Sequence, residues 1–328
     1  MANKNRILIT GATGFIGNNL IPELLNKNYL VSIIARNPDK LGVNFIDKVD
    51  ILKGDLVQKE TIPLPAQTDT IIHSAGILGG WGIPEEKFWR INLQGTQNLL
   101  ETAIKNKIRR FIYISSAGVF GPLNNGIIAD ENFPYQPSNI YERSKAEASK
   151  LVKMASKQIN TNIVYPEFVY GPGDLHVLGL FRLINKGFFP LFDGGESLLH
   201  PTYIGDLING IILVLEKASN GERFLITGEK PVSVKELVTT IAQVLERKLL
   251  LFNCPCALAD FLVRSSELIA NIFHISPPIT LAQVKFFTEN RSFTCDKAKN
   301  ELGYVPSFSL TRGIQATIEW YKKEGYLK

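Results

Sequence analysis

The sequence is poor in the residues that build disulfide scaffolds and metal sites. Its 328 residues include three cysteines and four histidines. Secreted domains that depend on disulfides need more cysteines than this, so a reducing compartment is expected. A structural zinc site needs about four ligands at defined spacings, and no histidine lies near Cys254 and Cys256. The composition therefore predicts neither a disulfide framework nor a bound metal.

The chain also lacks a long hydrophobic run without charges. Its most apolar later stretch, residues 249–273, contains Asp260, Arg264 and Glu267, which a bilayer-spanning helix would place in hydrocarbon. We therefore predict no integral membrane segment, and a buried or pocket-lining helix in this stretch. Residues 1–10 run directly into an apolar strand and leave no room for a signal peptide, which favours a cytoplasmic protein.

A strong net charge is missing as well. The net charge is +5, and the densest basic cluster, residues 105–110, is typical of a helix end, where cations suit the helix dipole. A nucleic-acid partner is therefore not expected. What the chain does have is 45% hydrophobic residues, which excludes disorder and suffices for a large core.

Short β-branched runs alternate with helix-length segments in the first half of the chain. Alternation at this spacing is typical of parallel strands that are joined by crossover helices, so an α/β fold with a doubly wound parallel sheet is predicted. The predicted strands are residues 6–10, 30–35, 49–52, 70–73, 111–115 and 162–165, and the predicted helices are residues 15–28, 88–105 and 141–157.

The pattern changes after Gly171, where helical segments dominate. We expect residues 1–170 to form a dinucleotide-binding domain and residues 171–328 to form a smaller, mostly helical substrate domain. Residues 201–227 are expected to return to the core of the first domain. The predicted elements of this half are a strand at residues 223–226 and helices at residues 178–186, 206–217, 234–247 and 310–323.

A glycine-rich loop connects the first predicted strand to the first predicted helix. The segment reads Thr10-Gly11-Ala12-Thr13-Gly14-Phe15-Ile16-Gly17. Glycines at these positions let the backbone turn tightly and approach a pyrophosphate, whose charge is met by the helix N-terminus. Position, spacing and flanking elements agree, so we predict a dinucleotide site formed by Gly11, Thr13, Gly14, Phe15, Ile16 and Gly17.

The end of the second strand predicts which dinucleotide binds. An acidic side chain there accepts the ribose 2′-hydroxyl of NAD, whereas it would repel the 2′-phosphate of NADP. This chain has Arg36 at that place and no carboxylate before Asp39. Because an arginine can pair with a phosphate, we predict NADP as the cofactor, with NAD as the less favoured alternative.

One tyrosine and one lysine have the spacing of a catalytic pair. Among ten tyrosines, only Tyr141 is followed four residues later by a lysine, Lys145. At this spacing both side chains share one face of a helix, and the ammonium is expected to lower the pKa of the phenol. Upstream, Ser115 and Ser116 end a predicted strand, where a hydroxyl can hydrogen-bond a substrate oxygen.

These pieces belong to a longer series of motifs in a fixed order. The series also contains Gly54-Asp55-Leu56, His73-Ser74-Ala75-Gly76, Asn92-x-x-Gly95-Thr96, Ser115-Ser116-Ala117-Gly118-Val119-Phe120-Gly121, Tyr170-Gly171-Pro172-Gly173-Asp174, His200-Pro201-Thr202-Tyr203-Ile204-x-Asp206 and Asp296-Lys297-Ala298. Together with the glycine loop and the Tyr141/Lys145 pair, these motifs resemble the extended short-chain dehydrogenases/reductases of the NAD-dependent epimerase/dehydratase group. The resemblance covers nearly the whole chain and implies a Rossmann-type fold.

The resemblance implies a role for each matching residue. Tyr141 is then the proton donor or acceptor, Ser116 rather than Ser115 is the catalytic hydroxyl, and Lys145 also holds the nicotinamide ribose. Arg36 stands where similar NADP-preferring reductases, such as the dihydroflavonol reductases, carry a phosphate-binding arginine. The resemblance further implies cofactor contacts from Asp55, Leu56, Ser74, Ala75, Gly76 and Pro166.

Two departures from the family pattern bear on the reaction. Sugar-nucleotide 4,6-dehydratases carry Asp-Glu directly after the catalytic hydroxyl, and here these positions are Ala117 and Gly118, which cannot transfer protons. A dehydratase is therefore not predicted. Phe120 replaces a common tyrosine and Tyr165 a common arginine, and the second change removes one candidate anion contact.

The predicted function is an NADP-dependent oxidoreductase that transfers hydride between nicotinamide and a carbonyl or alcohol substrate, with Tyr141 as acid or base. One alternative is a nucleotide-sugar epimerase that oxidises and re-reduces its substrate, and another is a non-enzymatic protein that senses the cofactor. The apolar residues 188–192 and 249–273 favour an apolar small-molecule substrate, or else a domain core or the face of a homodimer. The anion contacts that a sugar nucleotide would need are offered by Arg182, Lys186 and Arg291.

The sequence leaves the roles of a few further residues open. His73 is predicted to be a packed, hydrogen-bonded residue. His176 and His200 flank the predicted crevice and are either second proton-transfer groups or structural residues. The loop Gly79-Gly80-Trp81-Gly82 is either a lid over the site or an exposed connection.

Overall fold

A seven-stranded parallel sheet organises the protein. The computed structural model describes residues 5–37, 46–273, 275–277 and 279–328. Adjacent strands of the sheet follow the order β3-β2-β1-β4-β5-β6-β11, and every pair is parallel. The strands are β1 Arg6–Thr10, β2 Leu30–Ala35, β3 Asp50–Lys53, β4 Thr68–His73, β5 Arg110–Ile114, β6 Asn160–Pro166 and β11 Arg223–Ile226.

Alternate side chains of the central strands enter two apolar layers. In β1, Ile7 and Ile9 belong to one layer and Leu8 belongs to the other, as the two-residue period of a strand requires. Helices cover both layers, which is why these strands read as continuous apolar runs. The covering helices are α1 Phe15–Asn26, α6 Ile204–Lys217 and α10 Asp296–Leu302 on the first layer, and α3 Gly95–Lys105 and α4 Ile140–Ala155 on the second.

The sheet confirms the predicted doubly wound, Rossmann-type fold. The strand order reverses between β1 and β4, and in such sheets ligands bind at this switch point, outside the carboxyl ends of the strands. All predicted strands are present; the third and the fifth are each shifted by one residue, and the fourth and the sixth are longer than predicted. Within the second half of the chain, α6 packs on the sheet and β11 joins it beside β6. The division of the chain at residue 170 stays a prediction.

The segment predicted as one helix at residues 88–105 is three elements. Helix α2, Glu85–Phe88, leads into a π-helix at Trp89–Gln94, which continues as α3. A single widened turn of this kind often marks a functional site, because it re-aims one side chain. Here the π-helix carries Asn92, which is 1% exposed.

The remaining elements form a smaller, mainly helical layer. Their common core includes Phe181, Leu237 and Tyr321, and α7 packs against α11. Three short strand pairs brace this layer: β7 with β10, β9 with β12, and β8 with β13. The elements are α5 Leu178–Asn185, α7 Val234–Val244, α8 Cys256–Phe273, α9 Leu281–Thr288 and α11 Leu310–Lys323, with strands β7 Val169–Tyr170, β8 Phe188–Phe192, β9 Leu198–Leu199, β10 Thr202–Tyr203, β12 Val232–Ser233 and β13 Leu250–Cys254.

A buried or pocket-lining helix was predicted at residues 249–273, and the burial is not observed. The first part of this stretch is strand β13, and helix α8 packs through the small side chains Ala259, Val263 and Ala270. The packed face is the one with small residues, which let the helix approach its neighbours closely. Seven large apolar side chains expose 49–68% of their surface instead, namely Leu258, Phe261, Leu262, Leu268, Ile269, Ile272 and Phe273. Within the described residues, no helix combines the length and the apolar character that crossing a bilayer requires.

Candidate functional site

The glycine loop lies at the carboxyl edge of the sheet, against the segment that follows β4. Gly11 has φ +75°, and a Cβ there would lie 2.6 Å from the backbone nitrogen of Ala75. A Cβ on Gly17 would lie 2.3 Å from the carbonyl oxygen of Gly11. Both positions therefore need glycine, since real Cβ atoms do not approach backbone atoms so closely. This packing places the loop at the switch point of the sheet.

The first turn of α1 fits the phosphates of a dinucleotide. Gly14 is the N-cap residue, and no side chain among the described residues caps this end of the helix. An uncapped N-terminus presents backbone N–H groups and a partial positive charge to an anion. Ser74 donates from Oγ to the carbonyl oxygen of Thr10 at 2.9 Å and thereby holds the two facing loops together. Thr13, Phe15 and Ile16 complete this end of the helix and are half-buried.

The ends of the next two strands line the same edge. Arg36 directly follows β2 and is exposed, whereas Asp39 lies outside the described residues. Asp55 and Leu56 follow β3, and Asp55 Oδ1 accepts a hydrogen bond from the backbone of Val57 at 3.0 Å. The structure thus brings Asp55 and Leu56 to the carboxyl edge predicted for the adenosine, and it gives the Arg36 side chain free access from solvent.

The two serines after β5 point in different directions. Ser115 is buried, and its Oγ lies 2.7 Å from the Oγ of Ser149 in α4. Ser116 caps a short 3₁₀ turn at Ala117–Phe120, because its Oγ accepts a hydrogen bond from the backbone of Gly118 at 3.1 Å. The Ser116 hydroxyl also lies close enough to the Tyr141 phenol to lower the pKa of that phenol. The structure therefore places Ser116, and not Ser115, beside Tyr141.

Tyr141 lies in the first turn of α4, which Asn139 caps by accepting from the backbone of Glu142 at 2.9 Å. The expectation that Lys145 lowers the pKa of this phenol is not met. Burial raises the pKa of Tyr141 to about 12, against the lowering effect of the Ser116 hydroxyl. Lys145 Nζ donates to the carbonyl oxygen of Ile114 at 2.7 Å, and burial lowers the pKa of this amine to about 7. The physical reason is desolvation, which disfavours the charged form of both groups.

Asn92 belongs to one of the sequence motifs, but it was not predicted as a site residue. Its Nδ2 donates to Ser144 Oγ at 2.9 Å and to the carbonyl oxygen of Ile77 at 3.1 Å, and its Oδ1 accepts from the backbone of Ile77 at 2.8 Å. Asn92 thereby ties the Ser74-Ala75-Gly76 segment to helix α4. The π-helix is the feature that aims it there, and a π-turn has no simple sequence signal.

A buried charged cluster next to Tyr141 was missed as well. Arg291 Nη2 donates to Glu142 Oε1 at 2.8 Å and to Glu289 Oε2 at 3.1 Å, and the side chains of Arg291 and Glu142 are 6% and 4% exposed. Glu167, one residue beyond Pro166 at the end of β6, is 3% exposed and acts electrostatically on Arg291 and on Tyr141. Arg291, which was a candidate anion contact, is thus occupied by carboxylates of this chain.

The cluster also bears on the missing dehydratase residues. A Cβ on Gly118 would lie 3.1 Å from Glu142 Oε1 and 3.3 Å from Ser116 Oγ. The Glu142 carboxylate, which comes from α4, therefore fills the space in which a side chain at residue 118 would begin. The Tyr165 ring packs against Phe120 at 5.1 Å between ring centroids, so both aromatic departures from the family pattern meet in one buried cluster.

The three histidines among the described residues have structural or solvent-facing positions. His73 is buried, with its ring nitrogens 2.6 Å from Thr10 Oγ1 and 2.9 Å from Thr96 Oγ1, and burial lowers its pKa to about 3. His200 is 2% exposed, its Nε2 lies 3.1 Å from the carbonyl oxygen of Gly228, and burial lowers its pKa to about 4. His176 is exposed, and Trp81 is half-buried in an otherwise exposed loop. These positions are those of structural or solvent-facing residues.

Comparison with known proteins assigns the family. A sequence model of the NAD dependent epimerase/dehydratase family matches residues 7–227. The chain belongs to this family. The decarboxylating sterol-4-alpha-carboxylate 3-dehydrogenase of Candida albicans is 30% identical, over 97% of this chain and 98% of the relative. The 3 beta-hydroxysteroid dehydrogenase/Delta 5→4-isomerase of Mycobacterium tuberculosis is 26% identical, over 96% of this chain and 90% of the relative.

Solved structures of the epimerase/dehydratase family share the fold. The dTDP-glucose 4,6-dehydratase DesIV of Streptomyces venezuelae, solved with NAD, superposes with a TM-score of 0.77 at 24% identity, over 98% of this chain and 99% of that chain. The predicted membership in the extended short-chain dehydrogenases/reductases and the predicted fold are therefore confirmed. The chain is an enzyme of this type, and its relatives support oxidoreductase chemistry with a nicotinamide dinucleotide.

Proposed function

We propose that this epimerase/dehydratase family member uses NADP(H) to transfer hydride between nicotinamide and an apolar carbonyl or alcohol substrate. The observation that carries the proposal is that Ser116 lies beside Tyr141, on whose helix Lys145 is also buried, at the edge of the sheet that also carries the glycine loop. An acid and a second hydroxyl beside a dinucleotide site are the groups that carbonyl reduction needs from a protein.

The residues at this edge divide between the cofactor and the substrate. Gly11, Gly14 and the first turn of α1 would hold the pyrophosphate, and Arg36 would hold the 2′-phosphate that distinguishes NADP from NAD. Asp55, Leu56 and the segment Ser74-Ala75-Gly76 would flank the adenosine and the far side of the cofactor. The bound nicotinamide supplies or accepts the hydride.

Tyr141 would transfer the proton of the substrate hydroxyl. With a pKa of about 12, the phenol holds its proton at neutral pH and is ready to donate it to a carbonyl oxygen in the reduction direction. Ser116 accepts from the backbone of Gly118, so its O–H is left to donate to Tyr141 or to the substrate oxygen. Lys145, whose ammonium is held by the carbonyl oxygen of Ile114, would hold the nicotinamide ribose.

An apolar substrate is supported by the relatives and by the pairing of the candidate cations. The relatives from Candida albicans and Mycobacterium tuberculosis are named for sterol and steroid substrates. Arg291 is already paired with Glu142 and Glu289. Arg182 is bonded to the carbonyl oxygen of Tyr326 at 3.3 Å. Two of the three candidate cations for a sugar pyrophosphate, Arg182 and Arg291, thus have partners within the chain.

The test is a panel of steroid ketones, smaller apolar ketones and sugar nucleotides, assayed for consumption of NADPH and of NADH. We expect reduction of at least one apolar ketone, with NADPH bound more tightly than NADH. Calorimetry with UDP, GDP and dTDP is the counter-test. Low-micromolar binding of any of these would overturn the apolar assignment, and equal affinity for both reduced cofactors would overturn the NADP assignment.

A further inference from the structure

Glu167 is a buried carboxyl for which the proposed hydride transfer has no use. It directly follows Pro166, at the carboxyl end of β6, and is 3% exposed. Among the described residues, no donor forms a hydrogen bond with its carboxylate. Buried carboxylates are normally hydrogen-bonded, because an unpaired one loses its hydration without compensation. An unpaired carboxyl at this edge of the sheet therefore asks for a functional explanation.

The backbone fixes Glu167 in its place. Thr202 Oγ1 donates to the carbonyl oxygen of Glu167 at 2.7 Å, and the backbone of Thr202 donates to the carbonyl oxygen of Phe168 at 3.1 Å. Phe168 has φ +35°, a conformation that residues other than glycine rarely adopt. Strained conformations of this kind persist where the surrounding structure enforces them, and they concentrate at functional sites.

The charges around Glu167 keep it close to its ionisation midpoint. Arg291 and Glu142 act on it directly, and Glu289 shares the Arg291 guanidinium at 3.1 Å. One cation thus serves three carboxyl groups, and burial raises the pKa of Glu167 to about 7. Arg291 Nε is buried and has no partner among the described residues. A carboxyl in this state can both take and return a proton at neutral pH.

We propose that Glu167 is a second catalytic base, which removes a proton from the carbon atom next to the substrate carbonyl. The proposal rests on the proposed function, since Ser116 and Tyr141 would hold that carbonyl oxygen. The C–H bond breaks and its electron pair forms the C=C bond of an enolate. The carbonyl π pair moves to the oxygen, where the two hydroxyls stabilise it, and the proton passes to the Glu167 carboxylate. Return of the proton to carbon reverses the step, so no oxidant or reductant is consumed.

Other ionisable groups near the site are already engaged. Glu142 Oε2 accepts from the backbone and the hydroxyl of Ser138 at 2.7 and 2.9 Å, and its Oε1 accepts from Arg291. His73 has a partner at each ring nitrogen. Of the two carboxyls that act electrostatically on Tyr141, Glu142 is hydrogen-bonded, and Glu167 has no donor among the described residues.

The experiment follows exchange of carbon-bound hydrogen for deuterium. The probe is 5α-androstan-3-one in D₂O with the protein and NADP⁺, and the extracted ketone is analysed by mass spectrometry. We expect deuterium incorporation well above the buffer rate, rising as the pH passes through about 7, the pKa of Glu167. Glu167→Gln should slow exchange by roughly 10²- to 10⁴-fold. The matched control is Glu289→Gln, which removes another carboxylate from Arg291 at the more exposed rim and should keep exchange within about twofold of native.

Reduction of the same ketone by NADPH is measured in parallel, which separates this proposal from the proposed function. Reduction with exchange only at the buffer rate would overturn the role of Glu167 and leave hydride transfer intact. Exchange without reduction would support Glu167 and overturn hydride transfer to this ketone. Equal loss of exchange in both variants would assign the effect to the packing of the cluster and overturn the proposal, as would native exchange in Glu167→Gln.

Discussion

Replacement of Glu167 by glutamine should stabilise the folded protein at pH 8 but leave its stability nearly unchanged at pH 4. The carboxyl is 3% exposed and has no hydrogen-bond donor among the described residues. Burial is the largest cause of the rise of its pKa from 4.5 to about 7. A rise of this size corresponds to about 3 kcal/mol, because one unit is worth about 1.4 kcal/mol. Glutamine has nearly the same shape and no charge, so it removes this cost.

The sign of the pH dependence follows from the raised pKa of Glu167. Because the folded state holds the proton more tightly than the unfolded state, the protonated carboxyl adds stability at low pH. That stability is present below the ordinary value of 4.5 and is lost as the pH rises through about 7. Glutamine does not titrate. The free energy of unfolding of the variant, relative to that of the native protein, should therefore rise between these two pH values and stay constant above them.

Urea unfolding at pH 4, 6 and 8 measures this difference directly. The advantage of Glu167→Gln in the free energy of unfolding should grow with pH and approach about 3 kcal/mol at pH 8. The control variant Glu289→Gln changes a carboxylate whose side chain is 18% exposed, and its effect should depend less on pH. A native protein that is more stable than Glu167→Gln at pH 8, or a difference that does not vary with pH, would refute the reasoning.

Four further substitutions test the remaining parts of the site. Arg36→Ala should weaken NADPH binding by about 1.5–3 kcal/mol, or one to two decades, with little effect on NADH in a fluorescence titration; an unchanged preference would contradict the NADP assignment. Tyr141→Phe should keep NADPH binding and lose roughly 10²- to 10⁴-fold in turnover, whereas near-native turnover would mean that another group transfers the proton. Ser116→Ala should slow turnover. The control Ser115→Ala should instead lower the free energy of unfolding by about 1 kcal/mol, because the contact with Ser149 is lost. Slower turnover in Ser115→Ala and lower stability in Ser116→Ala would exchange the roles of the two serines. Arg291→Leu should cost about 3–5 kcal/mol in urea unfolding, because Glu142 is left buried and unpaired, and a loss below about 1 kcal/mol would speak against a tight ion pair.

The parallel sheet could be predicted because its signals are local. Each strand is a short apolar run, and the glycine loop that opens α1 fixes the position of the first crossover. The π-helix at Trp89–Gln94 could not be predicted in this way. Its widened turn accompanies the hydrogen bonds that Asn92 makes with Ile77 and Ser144, which are 15 and 52 residues away in the chain. Such a turn depends on tertiary partners and not on helix propensity.

Helix α8 shows a different limit. Its apolar content predicts a buried or pocket-lining helix, and a helix is present at Cys256–Phe273. Periodicity shows that two faces exist, but it does not show which face is packed. The close approach of Ala259, Val263 and Ala270 to their neighbours decided this, and it left Phe261 67% exposed. Hydrophobicity alone therefore does not show which side chains of such a helix are buried.

The candidate site divides along the same line between local and tertiary information. The Tyr141/Lys145 pair is a local spacing on one helix, so the sequence sufficed to find it. The ion pair of Glu142 and Arg291 joins residues that are 149 positions apart, and it exists only because the segment after α9 folds back against the catalytic helix. The pKa shift of Tyr141 has the opposite direction to the predicted one, because it too depends on tertiary burial. The sequence suggests a phenol made acidic by Lys145, but burial raises the pKa of Tyr141 and lowers that of Lys145. Burial likewise raises the pKa of Glu167 to about 7, and the burial of this residue after the end of β6 is visible only in the folded protein.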